Sequence, residues 1–332
     1  MSKYKWGIIG PGSIANQFAE ALITSENGEL HGVASRSFER GEAFAKQHQA
    51  RVVYDNYQAL ADDSAIDIIY IATPHSHHFG VAKMCLQAGK NVLMEKPLTV
   101  NAAQTEQLIA LSEEYKVVFQ EALWSRFMPC FVQVKRWIEE RQIGEVQYIT
   151  SQIGFAFGGD PKHRLLNPNL AGGAILDLGV YSVSLSQFLL SEYPDSVSAM
   201  GCINQYNVDD NTFVNMRYPS GVFSQFTCTI AAQCSNEMSV HGKTGSIIIP
   251  AFFWNGGKAI LKKEGQPDQY LDFPHQVNGF EYQIEGTMDC VKKGALCSDV
   301  MNHQDSHNVM QTLDEIRRQI GLKFNDEIES LD

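Results

Sequence analysis

The stretch Lys5-Trp6-Gly7-Ile8-Ile9-Gly10-Pro11-Gly12-Ser13-Ile14-Ala15 constrains the fold more than any other, because an apolar run there enters a G-x-G-x-x-A turn. A strand, a tight turn and a helix must follow one another. Gly10 permits the turn, Gly12 lets the backbone approach a ligand, and the small Ala15 lets the helix pack on the strand. A helix beginning at Ser13 and Ile14 offers free N–H groups and partial positive charge, which suit an anion such as a pyrophosphate. Glycine-rich turns also occur in α/β proteins without nucleotides, so the rest of the chain has to agree with this reading.

With 332 residues, the chain is long enough for two domains, each with its own core. Its formal net charge of -12 argues against nucleic-acid partners, which need a basic face. The opening Met1-Ser2-Lys3-Tyr4 has no signal-peptide character. No uninterrupted apolar run approaches the roughly 20 residues of a membrane span. A cytoplasmic protein with no membrane partner is expected. The seven cysteines are scattered without a C-x-x-C pair and read as reduced thiols.

Strand-like and helix-like segments alternate through the first third, the pattern of a parallel sheet with crossover helices. Strands are expected at Lys5–Ile9, Glu29–Ser35, Arg51–Tyr54, Ile66–Ala72, Asn91–Met94 and Val117–Ala122, with helices between them. After residue 123 the texture becomes aromatic-rich and strand-like at Val146–Phe157, Thr212–Tyr218, Val222–Ile230, Met238–Ile249 and Lys258–Lys263. Amphipathic helices near Glu281–Lys293 and His303–Ile320 close the chain. The expected fold is α/β: an N-terminal Rossmann domain with a doubly wound parallel sheet (residues 1–123), and a C-terminal α+β domain with a large, mostly antiparallel open sheet (124–332).

Several segments fall where the strands of such a sheet end, the side on which open α/β folds bind ligands. The second strand ends in Ser35-Arg36-Ser37, without the acidic residue that accepts from an NAD ribose. Arg36 can pair with a 2′-phosphate, as can Arg40 nearby, so NADP(H) is favoured over NAD(H). The fourth strand leads into Thr73-Pro74-His75-Ser76-His77-His78. That cluster lacks acidic or cysteine ligands, and no metal is expected. Its histidines can face a nicotinamide or cap a helix. The fifth strand ends in Glu95-Lys96-Pro97, a charged pair that must be either matched or used. In the second half, Gly172-Gly173 opens a helix carrying Asp177 and Tyr181 four residues apart, on one helical face. Lysine, aspartate and tyrosine suit proton transfer at a hydroxyl, since an adjacent ammonium lowers the pKa of a phenol. A tyrosine merely packed beside Asp177 is the other reading of that helix.

Together, G-x-G-x-x-A at Gly10 to Ala15, T-P-x-x-x-H at Thr73 to His78, E-K-P at Glu95 to Pro97 and G-G-x-x-x-D-x-G-x-Y at Gly172 to Tyr181 resemble the glucose-fructose oxidoreductase/inositol dehydrogenase (Gfo/Idh/MocA) family. Ala34-Ser35-Arg36, the segment from Glu121 to Pro129 and Arg164-Leu165-Leu166-Asn167-Pro168 place the chain near its dihydrodiol and NADP-dependent D-xylose dehydrogenase branch. Many members have histidine where this chain has Tyr181, and asparagine where it has His75. The resemblance implies a dehydrogenase that moves a hydride between NADP(H) and a hydroxyl-bearing carbon of an aldose or cyclic trans-dihydrodiol. It implies catalysis by Lys96 and Tyr181, with Asp177 orienting the pair or binding substrate. Cofactor contacts would come from Gly10, Gly12, Ser13, Ile14, Ser35, Arg36, Thr73, Pro74, His75, His78, Glu95, Lys96, Trp124 and Arg126. Phe157, Arg164 and Trp254 are candidates for the substrate wall, and a homodimer through the C-terminal sheet is implied. Alternatives are a non-catalytic NADP(H) sensor of the same fold, or a dehydrogenase for inositol or a nucleotide sugar.

Overall fold

The computed structural model describes residues 3–331, and the chain divides into two compact units. In the first, β1 (Tyr4–Ile9), β2 (Gly28–Ala34), β3 (Val52–Tyr54), β4 (Ile68–Ile71), β5 (Asn91–Glu95) and β6 (Phe119–Ala122) form one parallel sheet in the order β3-β2-β1-β4-β5-β6. This is the doubly wound order, with its topological switch between β1 and β4. Every residue of β4 is buried, as a strand covered on both faces requires. The connecting helices are α1 (Ser13–Ile23), α2 (Phe38–His48), α3 (Tyr57–Asp62), α4 (His78–Gln87) and α5 (Ala102–Tyr115). Side chains cap three of them: Ser37 for α2, Asn56 for α3 and Asn101 for α5 each accept from a backbone N–H. Gly12 gives α1 no such cap.

The first unit also takes back residues 275–307, which amends the expected division at 123/124. Helix Phe280–Lys293 buries Phe280, Ile284 and Met288 in one core with Trp6, Phe18, Leu22 and Tyr70. Its apolar stripe showed that something covers the helix, but not which sheet. The other face of the sheet has its own core, including Ile9, Leu60, Ile69, Phe79 and Leu86.

The second unit holds an eight-stranded sheet: β7 (Val146–Gly154), β8 (Ser196–Ile203), β9 (Asp209–Arg217), β10 (Phe223–Thr229), β11 (Met238–Gly242), β12 (Gly245–Ile249), β13 (Lys258–Lys263) and β14 (Gln269–Asp272). Its order is β14-β13-β12-β11-β7-β10-β9-β8, antiparallel except between β7 and β10. The run Met238–Ile249, expected as one strand, is a hairpin. Strands β8 and β14 were not anticipated. β8 is built largely of small residues, and β14 is only four residues long. Two helices, α6 (Pro129–Glu139) and α7 (Val180–Leu190), pack together, with α7 also against β7. Nearly all of α7 is buried. The segment Pro168–Leu190, though interrupted by Asn169, Asp177 and several serines, is long and apolar enough on average to cross a membrane by length and composition alone, but 89% of its most apolar window is buried inside the fold. A core helix passes the same test.

Candidate active site

In the first unit the carboxyl ends of β1, β2, β4 and β5 form the candidate cofactor edge. Gly10 adopts φ +90, and a Cβ there would stand 2.8 Å from Ala72 O, so the turn presses against the end of β4. Its N–H donates to Ala34 O at 3.1 Å, which ties the turn to the end of β2. A Cβ on Gly12 would meet nothing within 4 Å. The α1 N-terminus starting at Ser13 and Ile14 is thus uncapped, with open space over Gly12. Thr73 adds a buried hydroxyl with no hydrogen-bond partner among the described residues. Open amides and a buried hydroxyl suit an anionic dinucleotide.

The histidines beside Thr73 differ in environment. His78 is fully buried, with Nδ1 2.9 Å from Pro97 O and Nε2 2.9 Å from Thr73 O. It joins the end of β4 to the Glu95-Lys96-Pro97 segment. Burial pushes its ring down to about 4, against the opposing pull of these carbonyls, so the ring is neutral at pH 7 and donates to one of them. His75 is buried, its ring centroid 5.7 Å from that of His78, and Pro74 precedes it in extended backbone. His77 is only partly buried; burial lowers its pKa, and the charge of Arg36 lowers it further.

Glu95 is buried, and Tyr70 OH donates to its Oε1 at 2.5 Å. The backbone N–H of Lys96 donates to its Oε2 at 3.3 Å. Tyr70 in turn stacks on Phe18 with centroids 3.7 Å apart. Lys96 therefore follows a residue fastened from beneath, and its bond to Pro97 is cis. Arg36 is exposed just past β2, beside the buried Ser35, and its charge and that of Arg40 both act on Tyr57 at the start of α3. Trp124 packs on Phe280, with centroids 4.9 Å apart.

In the second unit a π turn, Ile175–Gly179, runs directly into α7. It carries Asp177, and Tyr181 follows on α7; both are buried. Arg164 grips Asp177 with Nη1 on Oδ1 at 2.8 Å and Nη2 on Oδ2 at 3.3 Å, a fork that fixes the carboxylate plane. Gly172 explains how two residues so far apart in sequence meet. A Cβ there would stand 2.4 Å from Arg164 O, so only glycine lets the Arg164 segment lie against the turn. Tyr181 stacks near-parallel with Trp254, centroids 6.2 Å apart, and Ser125 Oγ donates to Trp254 O at 2.5 Å. Phe157 lies after β7, its ring centroid 4.6 Å from that of His163, the residue just before Arg164.

Arg126 takes a different place. It is fully buried, donating through Nε to Ser184 Oγ at 2.7 Å and through Nη2 to Ser184 O at 2.9 Å. It anchors the turn Trp124–Phe127 to α7. Sequence reasoning missed Tyr70 and Asp209: neither lies in a motif, yet Tyr70 OH donates to Glu95, and Asp209 Oδ2 accepts from Ile175 N of the π turn at 2.8 Å. Among the described residues, no group of three or more His, Cys, Asp or Glu is arranged to hold a metal ion.

A doubly wound unit with an open glycine turn, joined in one chain to a unit with a fixed aspartate and a buried tyrosine on one helix, defines a two-domain dehydrogenase architecture. The chain belongs to the Gfo/Idh/MocA oxidoreductase family: residues 4–123 match the model described as "Oxidoreductase family, NAD-binding Rossmann fold", and residues 131–248 match the GFO/IDH/MocA C-terminal domain. It is 33% identical over 331 residues to a trans-1,2-dihydrobenzene-1,2-diol dehydrogenase of Xenopus tropicalis, covering 96% of this chain and 99% of the relative. Its fold is similar to that of an aldose-aldose oxidoreductase from Caulobacter crescentus complexed with glycerol, with TM-score 0.87, 24% identity and coverage of 96% of this chain and 97% of the other. It is also similar to a 3-ketoreductase from Actinomadura kijaniata in complex with NADP and TDP-benzene, with TM-score 0.86, 22% identity and coverage of 96% and 98%. The protein is an NAD(P)-dependent oxidoreductase acting on CH–OH groups.

Proposed function

We propose that this protein is an NADP(H)-dependent dehydrogenase for an aldose or a cyclic trans-dihydrodiol, with Tyr181 as the acid-base and Lys96 as its electrostatic partner. The observation that carries this reading is the π turn and α7, where the Arg164 fork fixes Asp177 and Tyr181 lies buried against Trp254. Names of full-length relatives supply the substrate class.

Bound nicotinamide supplies the hydride acceptor for oxidation, or the donor for reduction. The chain's own residues manage the proton and the position. In oxidation Tyr181 accepts the hydroxyl proton from the substrate oxygen. By the family resemblance, the Lys96 ammonium would lower the cost of a phenolate and steady negative charge as it develops on that oxygen. Asp177, held planar by Arg164, presents an acceptor to a neighbouring substrate hydroxyl. Trp254 offers a flat apolar face to a ring, with Phe157 and Arg164 completing the wall. Gly12 and the amides at Ser13 and Ile14 would hold the pyrophosphate of the cofactor, and Thr73, Pro74, His75, Glu95 and Trp124 would hold its nicotinamide end. His78 and Arg126, buried as they are, serve by fastening Pro97 and α7. Arg36, with Ser35 and Arg40, would hold the 2′-phosphate of NADP(H). The homodimer uses the outer sheet face, where Tyr148, Met200, Phe213, Phe223 and Tyr270 are 45%, 77%, 52%, 53% and 67% exposed.

Purified protein should form reduced nicotinamide from NADP+ with trans-1,2-dihydrobenzene-1,2-diol or with aldoses such as D-xylose. Tyr181→Phe and Lys96→Met should each lose about 10²- to 10⁴-fold in turnover while the protein still binds NADP(H). Tight NADP(H) binding without turnover on any of these substrates would make the protein a sensor.

A further inference from the structure

Asp209, the first residue of β9, is fully buried and belongs to none of the motifs. Its Oδ2 accepts from Ile175 N at 2.8 Å and from Thr212 Oγ at 2.7 Å, and the N–H of Ala174 also faces the carboxyl group. Ile175 opens the π turn, so the first N–H of that turn ends on a carboxylate borne by the sheet. Gly173 is shaped to this contact. It adopts φ +120, and a Cβ there would stand 2.2 Å from Asp209 Oδ1. Further along the turn, a Cβ on Gly179 would lie 3.2 Å from Cys228 Sγ on β10. The strand bearing Asp209 is itself fixed, since Ile230 N donates to Asp210 O at 2.9 Å.

A π turn survives only where its surroundings specify it, because the α register has the better backbone geometry. Slipping by one residue rotates a side chain about the helix axis by about 100°. Such a slip between Ile175 and Gly179 would rotate Asp177 out of the Arg164 fork and change how it stands relative to Tyr181 on α7. We propose that Asp209 is a positioning residue for the dehydrogenase reaction: by holding the first amide of the π turn, it sets where Asp177 and Tyr181 stand. This rests on the assignment of Tyr181 as acid-base. Burial pushes the Asp209 carboxyl up to about 6, with its hydrogen bonds opposing the rise. At neutral pH, an ionised carboxylate in that position costs the fold stability, so its contribution is geometric.

The test measures kcat and KM with NADP+ and trans-1,2-dihydrobenzene-1,2-diol or D-xylose, cofactor affinity by NADPH fluorescence, and the thermal midpoint. Asp209→Ala should lower kcat by about 10- to 100-fold, the scale of a misplaced catalytic group, with NADPH affinity unchanged. Asp209→Asn keeps an oxygen for Ile175 N–H and Thr212, so it should restore kcat to within about threefold. Thr212→Val, which removes one of the bonds that aim the carboxylate, should give an intermediate kcat. It carries the test if Asp209→Ala does not fold. Unchanged kcat in Asp209→Ala, or in Thr212→Val where that variant stands in, overturns the proposal. So does a loss that Asp209→Asn fails to restore. Tyr181→Phe is the control: full turnover there refutes the acid-base assignment, whereas an inactive Tyr181→Phe beside a fully active Asp209→Ala refutes the positioning role alone.

Discussion

Two glycine turns open two helices in this chain, and they are built for opposite purposes. At Gly10 and Gly12 the helix start is open: α1 has no side-chain cap, and space lies over Gly12. At Gly172 and Gly173 the start is closed: the backbone of Arg164 fills one side, and the Asp209 carboxylate takes the Ile175 amide. The same word in the sequence, small residues leading into a helix, therefore leaves an open helix start in one unit and a filled one in the other. An unsatisfied N-terminus is prepared for an outside anion; a satisfied one holds what the helix carries.

Filling the open turn should break the contrast most sharply. Gly12 has φ -102 and ψ -170, extended backbone that any residue adopts, so Gly12→Val meets no steric objection from the fold. It should leave the thermal midpoint unchanged and lower NADPH affinity on the order of 10²-fold, about 2.7 kcal/mol, as its side chain takes the pyrophosphate's place. Unchanged affinity in a fluorescence titration would move the pyrophosphate away from α1. The closed turn should respond the other way. Gly173→Ala puts a Cβ on Asp209 Oδ1 at a φ that L residues rarely adopt. Denaturant unfolding should show a loss of roughly 2–4 kcal/mol, with NADPH affinity of the folded protein unchanged. A neutral Gly173→Ala would mean that the carboxylate does not sit where the contrast requires it.

The two units also differed in how readily they could be read. Strands buried on both faces are continuous apolar runs, so Ile68–Ile71 and its neighbours were visible in order, with glycine and asparagine marking the joints. The second sheet has an exposed face, and β8 meets it with serines, a glycine and a cysteine, which carry little apolar signal. Asp177 and Tyr181 stood out in the sequence as motif residues four apart. The π turn beneath them did not, since its cause lies on another element at Asp209. Likewise the Arg164–Asp177 fork depends on a contact at Gly172 that has no periodicity. What escaped the sequence was tertiary support for groups that were themselves recognisable.

Each unit fastens its candidate catalytic residue through a buried titratable group, His78 in the first and Asp209 in the second, and pH separates them. His78 is about 4 in the fold, held down by burial, whereas an unfolded histidine titrates near its ordinary 6.5. Between those values the unfolded chain binds a proton that the folded ring refuses. Stability from this group is complete above 6.5 and falls as the pH drops toward 4. The loss at pH 5 should be about 2 kcal/mol by that linkage. Partly buried His77, also lowered, adds in the same direction. His78→Asn should flatten the slope in a pH series of denaturant titrations. If wild-type stability rises on acidification instead, the ring is an imidazolium donating to both Thr73 O and Pro97 O.

The smallest effect concerns the far end of the open turn's ligand. Arg36 is exposed, and its charge reaches Tyr57 and His77, which places a cation between the end of β2 and the starts of α3 and α4. A guanidinium there has the geometry and charge to pair with a 2′-phosphate under the proposed function, but its exposure to water limits what one contact contributes. Arg40 stands on the same side, and its charge also reaches Tyr57. Arg36→Ala should therefore weaken NADP(H) roughly tenfold, about 1.4 kcal/mol, and leave NAD(H) unchanged. Replacing both arginines should abolish the preference. Isothermal titration with the two cofactors reads this directly, because only the 2′-phosphate differs between them. Equal weakening of both would return Arg36 to the ordinary surface and leave the open turn selective for a pyrophosphate, with no means of telling one dinucleotide from the other.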